Sequence, residues 1–168
     1  MKKGIRQKVL GFLLVAMVYC LTGCGNNTQG TTTVSMYDLC QVMEEADASL
    51  PEMLYASSSE ENADDLFSHV SDMDYEKVDS FFVSYSKEGK ADEIVVVAVK
   101  DPADIEEAKK SLMAHKEDRY KLLEQYEPKE VSRIDDGIIF TEKQYAVLII
   151  CDDANSVRHA FEKQIKEA

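Results

Sequence analysis

Two short runs, Glu93–Lys100 and Tyr145–Cys151, are apolar on both faces of an extended chain, and they constrain the fold more than any other feature. Successive side chains of a strand point to opposite faces, so Val95, Val97 and Val99 stand against Ile94, Val96 and Ala98. Both faces then need cover, which predicts a central strand. Ala146, Val147, Leu148, Ile149 and Ile150 repeat the pattern in the second run.

Each run is the second arm of a hairpin. Ahead of the first, Phe81, Val83 and Tyr85 alternate with Ser80, Ser84 and Ser86, broken only by Phe82, which predicts a strand from Val78 with one polar face. Lys87-Glu88-Gly89-Lys90 supplies its turn. Ahead of the second run, Gly137 to Thr141 forms the partner arm. Asp135-Asp136-Gly137 reads as a turn.

A helix follows each hairpin. Asp101 is a natural N-cap, with Pro102 at the first helical position and Asp104 near the positive end of the dipole. That helix is expected to run to about Tyr126, with a stripe of Ile105, Ala108, Leu112, His115, Arg119, Leu122, Leu123 and Tyr126, and Pro128 stops it. Asp152 and Asp153 cap a final helix with Val157, Ala160, Phe161 and Ile165 inward. Apolar spacing at Met36, Leu39, Cys40, Met43, Ala46 and Leu50 predicts an earlier helix ending before Pro51. The stretch from Ala56 to Asp65, with three serines and four acids, reads as a mobile loop, and Leu66 to Val70 as one helical turn. The order is one helix and then ββα twice. It predicts an α+β fold, a single domain over 36–168 with an antiparallel sheet packed by helices.

Residues 1–23 read as a lipoprotein signal peptide. Lys2, Lys3, Arg6 and Lys8 precede an apolar run from Val9 to Leu21, with no acid in the segment. At about 13 residues the run is too short to span a bilayer, which takes about 20. Leu21-Thr22-Gly23-Cys24 resembles the bacterial lipobox. That resemblance implies that Leu21, Thr22 and Gly23 are recognised by the signal peptidase and that Cys24 becomes the diacylglycerol-modified first residue. Two acyl chains give stable anchoring, at about 0.8 kcal/mol per buried methylene. Residues 24–35, the lipidated cysteine and a segment free of charge and apolar periodicity, form a tether whose flexible part reaches about 20 Å. The expected location is the extracytoplasmic face of the cell membrane.

Charge narrows the partners. Loss of the four signal-peptide cations leaves 15 basic residues against 32 acids, a formal charge of −17. Such a surface repels phosphate backbones, so nucleic acid is excluded as a partner. The membrane, through the lipid, and another envelope protein are the partners expected.

Ala91-Asp92-Glu93-Ile94-Val95-Val96-Val97-Ala98-Val99-Lys100-Asp101, the long charged helix ending in Tyr126-Glu127-Pro128 and the second hairpin together resemble a family of bacterial lipoproteins. It is the domain-of-unknown-function family four-three-five-eight, found mainly in Gram-positive bacteria. The resemblance covers roughly Met36 to the C-terminus. It implies a membrane-anchored domain and carries no catalytic or binding residue with it.

The mature chain offers little overt chemistry. Cys40 and Cys151 read as core thiols, with a Cys40–Cys151 disulfide as the alternative that an oxidising compartment allows. No two of His69, His115 and His159 stand three to five residues apart, so zinc has no local support and no metal or other cofactor is expected. His115 and Arg119 intrude on a core-facing stripe and read as stripe-edge residues whose polar ends reach water. The acids of Glu60–Asp65 and Asp72–Glu76 miss the EF-hand pattern. Nucleophile elbows and phosphate-binding loops are absent. The reading is a non-catalytic binding or accessory module, and the alternative is an envelope enzyme or a receptor for a small solute or metal whose site is assembled only in three dimensions.

Overall fold

The computed structural model describes residues 34–167. The signal peptide, Leu21, Thr22, Gly23, Cys24 and all but the end of the tether lie outside the described residues. The chain runs through α1 (Met36–Glu44), β1 (Met53–Ser57), α2 (Ala63–Ser68), β2 (Val78–Ser86), β3 (Glu93–Val99), α3 (Ile105–Tyr126), α4 (Val131–Asp136), β4 (Ile138–Glu142), β5 (Tyr145–Ile150) and α5 (Ala154–Glu167). The five strands form one antiparallel sheet in the order β1-β2-β3-β5-β4, so the strand apolar on both faces sits at its centre.

Each face of the sheet is covered by helices. Val95, Val97, Ala146, Leu148 and Ile150 join Phe67 of α2, Ala108 and Leu112 of α3 and Ile134 of α4 in one core. Ile94, Val96, Val147 and Ile149 join Leu39 and Met43 of α1 and Val157 and Phe161 of α5 in the other. A fully buried side chain of this size contributes about 1.5–3 kcal/mol. Phe81 belongs to the first core and Phe82 to the second, which explains the break in the alternation of β2.

Four local expectations need correction. The serine face of β2 is not solvated: Ser84 is fully buried under α1 and bonds the Glu44 carboxylate. α1 stops at Glu44, six residues early, because Asp47 accepts hydrogen bonds from the Ser49 amide and hydroxyl and so closes a turn before Pro51. The stretch from Ala56 to Asp65, read as a loop, takes in the last two residues of the edge strand β1 and the start of α2. α4 was not foreseen, and Leu122 and Tyr126 of the α3 stripe are exposed, with Ser111 buried in that helix.

Caps follow the sequence more closely. Asp101 accepts from the Ala103 amide at 2.9 Å and starts the turn that leads into α3. Asp153 accepts from the Ser156 amide at 3.1 Å at the head of α5. Gly89 takes φ +75° in the first hairpin turn, a conformation that suits glycine.

Candidate functional site

Glu93 opens β3 and is only 3% exposed. The pleat puts it on the same face as Val95 and Val97, toward α3. His115 and Arg119 are one turn apart on that helix and both reach the acid: His115 Nε2 lies 2.9 Å and Arg119 Nε 3.3 Å from Glu93 Oε2. Arg119 Nη2 donates to the carbonyls of Lys90 and Ala91, each at 3.1 Å, which pins the guanidinium to the end of the first hairpin. Its Nε is buried and makes no hydrogen bond. The polar ends of this pair therefore turn onto a buried carboxylate instead of water, contrary to expectation.

These three side chains stand in the wall of a cleft of about 260 Å³. Ala56, Leu66, Val70 and Val83 give it an apolar floor, with His69 and Tyr85 completing the lining. An adjoining cleft of about 170 Å³ shares His69, Val70 and His115. There Ser111 Oγ donates to Asp72 Oδ1 at 2.7 Å and lies 2.7 Å from Ser71 Oγ, while the Asp72 amide donates to Ser111 at 3.0 Å. A more apolar groove of about 410 Å³ runs between α3, α4 and β4 along Met113, Tyr120, Ile134 and Ile139.

A second charged network lies at the same end of β3, on Asp92, the residue before Glu93. Arg133 of α4 pairs with Asp92 at 3.2 Å, Glu130 at 2.7 Å and Asp152 at 3.0 Å. Burial pushes the Asp92 carboxyl above its ordinary value against the pull of Arg133. The groups of this network bond one another and the Ala91 amide, which ties α4 to the start of β3 and to the turn after β5.

Cys40 and Cys151 are both buried free thiols, on the opposite face of the sheet from the cleft. Burial, reinforced by the Glu44 charge, pushes the Cys40 thiol far above its ordinary range. Burial and Asp47 push Cys151 up to about 12. Both are protonated at neutral pH and poor nucleophiles. His159 is exposed, 3.8 Å from Glu162. Among the described residues no group of three or more His, Cys, Asp or Glu side chains could hold a metal ion, and no helix is long and apolar enough to cross a membrane.

Sequence reasoning marked His115 and Arg119 but passed over Glu93, taken only as the start of an apolar run. The available signal was parity: an acid two and four residues from Val95 and Val97 falls on a buried face and needs a cationic partner.

A family model described as a domain of unknown function, DUF4358, matches residues 53–151, from the start of β1 to the residue after β5. The cleft lies wholly within that span, and α1 and α5 lie outside it. No curated protein and no solved structure matches the chain.

Proposed function

The chain belongs to the DUF4358 family, and from that premise we propose that it is a lipid-anchored extracytoplasmic module, held at the cell membrane through Cys24, that binds a small solute. The lipobox and the basic-apolar leader support the anchor. The carrying observation for binding is the convergence of Glu93, His115 and Arg119 in the wall of one cleft. Of the two readings open to the sequence, that convergence favours a receptor site assembled in three dimensions.

Binding is favoured over catalysis by what surrounds the imidazole. Its recorded partner is an acid already shared with a guanidinium. Ser111, one turn earlier on α3, is engaged by Asp72 and Ser71. The two thiols lie on the other face of the sheet, protonated.

Two measurements test this. Labelling of cells with a radioactive fatty acid should mark the wild type and leave Cys24→Ala unlabelled; equal labelling removes the anchor. Thermal unfolding of the full-length chain in detergent against a panel of small solutes should give a ligand whose saturation at a hundred times its Kd adds about 2.7 kcal/mol. Stabilisation that persists in Glu93→Gln would remove the cleft from the proposal.

A further inference from the structure

We propose that the cleft takes a small zwitterion with an apolar side chain, an α-amino acid about the size of leucine, its carboxylate on Arg119 and its ammonium on Glu93. This rests on the binding reading above and names its ligand class.

Charge is the first argument. The wall presents one carboxylate and one guanidinium, 3.3 Å apart. A lone anion drawn to Arg119 meets the adjacent Glu93, and a lone cation drawn to Glu93 meets Arg119. A ligand carrying both charges on neighbouring atoms satisfies each with its opposite and adds no net charge to a partly buried site.

Unused hydrogen-bonding capacity is the second. Both contacts to the Glu93 carboxylate end on Oε2, which leaves Oε1 as an acceptor. Arg119 commits Nη2 to two carbonyls and its Nε is buried beside Glu93, which leaves Nη1 as the donor open to a ligand. The guanidinium is thus fixed in place with donor capacity to spare, the preorganised state that carboxylate recognition requires.

Size and lining are the third. About 260 Å³ falls just below the range of about 300–1,000 Å³ typical of drug-sized ligands, which limits the occupant to a molecule of amino-acid dimensions. Leu66, Val70 and Val83 face that volume beside the charged wall. They offer an aliphatic side chain an apolar surface and a sugar no ring of hydrogen-bonding partners.

The test is calorimetric titration of the full-length chain in detergent with leucine, leucinamide, which lacks the carboxylate, and 4-methylpentanoate, which lacks the ammonium. Leucine should bind at least about tenfold more tightly than either analogue, the scale of one charge-assisted hydrogen bond. In Glu93→Gln, which keeps an oxygen for His115, the preference over 4-methylpentanoate should fall to within about twofold, with near-ultraviolet circular dichroism unchanged. Equal binding of leucine and either analogue overturns the zwitterion, as does a preference over 4-methylpentanoate that survives in Glu93→Gln. If leucine fails while glucose, inorganic phosphate or another panel solute binds the wild type and not Glu93→Gln, the ligand class falls and the cleft's binding role stands. If nothing binds, both fall.

Discussion

Asp47 Oδ2 accepts the backbone N–H of Asp153 at 2.9 Å, joining the turn after α1 to the head of α5 across 106 residues of sequence. Its Oδ1 takes the amide and hydroxyl of Ser49 at 2.9 and 2.6 Å. One buried carboxylate thus closes a turn and ties the two helices of one layer together.

Burial works to raise the Asp47 carboxyl, and the hydrogen bonds from Ser49 and Asp153 outweigh it and hold the group below its ordinary value. A depressed carboxyl contributes stability above its unfolded pKa of about 3.9, and that contribution is lost as pH falls through the folded value. Asp47→Ala should therefore cost about 1–3 kcal/mol at pH 7 in urea unfolding, with the gap to wild type narrowing below about pH 4. Equal stability at pH 7 would remove the tie.

Phe81 and Phe82 are adjacent in sequence and buried in different cores. Each substitution to Ala should cost about 3–5 kcal/mol. Phe81→Leu and Phe82→Leu should cost about 1 kcal/mol each, and their effects should sum in the double variant to within about 0.5 kcal/mol, since they share no packing partners. A larger coupling energy would mean that the sheet transmits strain between its faces.

Cys40 and Cys151 should resist alkylation by iodoacetamide in the folded protein at pH 7 and react together once it is unfolded. Mass spectrometry of the quenched samples reads the outcome. A single fast-reacting thiol in the native state would contradict the burial of both.

Arg119→Met should cost about 2–3 kcal/mol, because it strips a buried carboxylate of its permanent cation. Replacing Glu93, His115 and Arg119 together with Leu, Leu and Met should be neutral to within about 1 kcal/mol or stabilising, since a well-packed apolar substitute avoids the desolvation of the ions. Guanidinium unfolding distinguishes the two. A triple variant much less stable than wild type would make the cluster a structural element.

Two glycines should fail for different reasons. A Cβ on Gly137 would lie 2.9 Å from Ile150 Cγ1 and 3.0 Å from the Ile134 carbonyl, so Gly137→Ala should cost about 1–3 kcal/mol through crowding where α4 meets the sheet. Gly89 has open space around it, and Gly89→Ala should cost about 1 kcal/mol through its φ of +75°. Thermal unfolding of Gly89→Asn, which tolerates that φ, should recover part of the loss, and no change at Gly137→Asn is expected to do so.

Much of the architecture was readable from local pattern. Two runs apolar on both faces, each behind a hairpin and ahead of an Asp-capped helix, lead to the antiparallel sheet with helices on it, because pleat, turn and cap act within a few residues. β1 escaped because an edge strand of five residues with a mixed burial pattern has too little periodicity to stand out. The serine face of β2 was misjudged because Ser84 is buried through a carboxylate on α1, 40 residues away.

The sequence by itself determined the strands β2 to β5, the helices α1, α3 and α5, the central place of the Val-rich strand and the acidic character of the chain, all of which rest on composition and short-range spacing. Tertiary structure alone decided the strand order and the site. His115 and Arg119 are four residues apart, but their acid lies 22 residues upstream of His115 on another element. Nothing local specifies that meeting: it follows from the sheet register that buries Glu93 and from the packing of α3 that brings an imidazole and a guanidinium over it, since a carboxylate in an apolar core persists only where the fold supplies its partners.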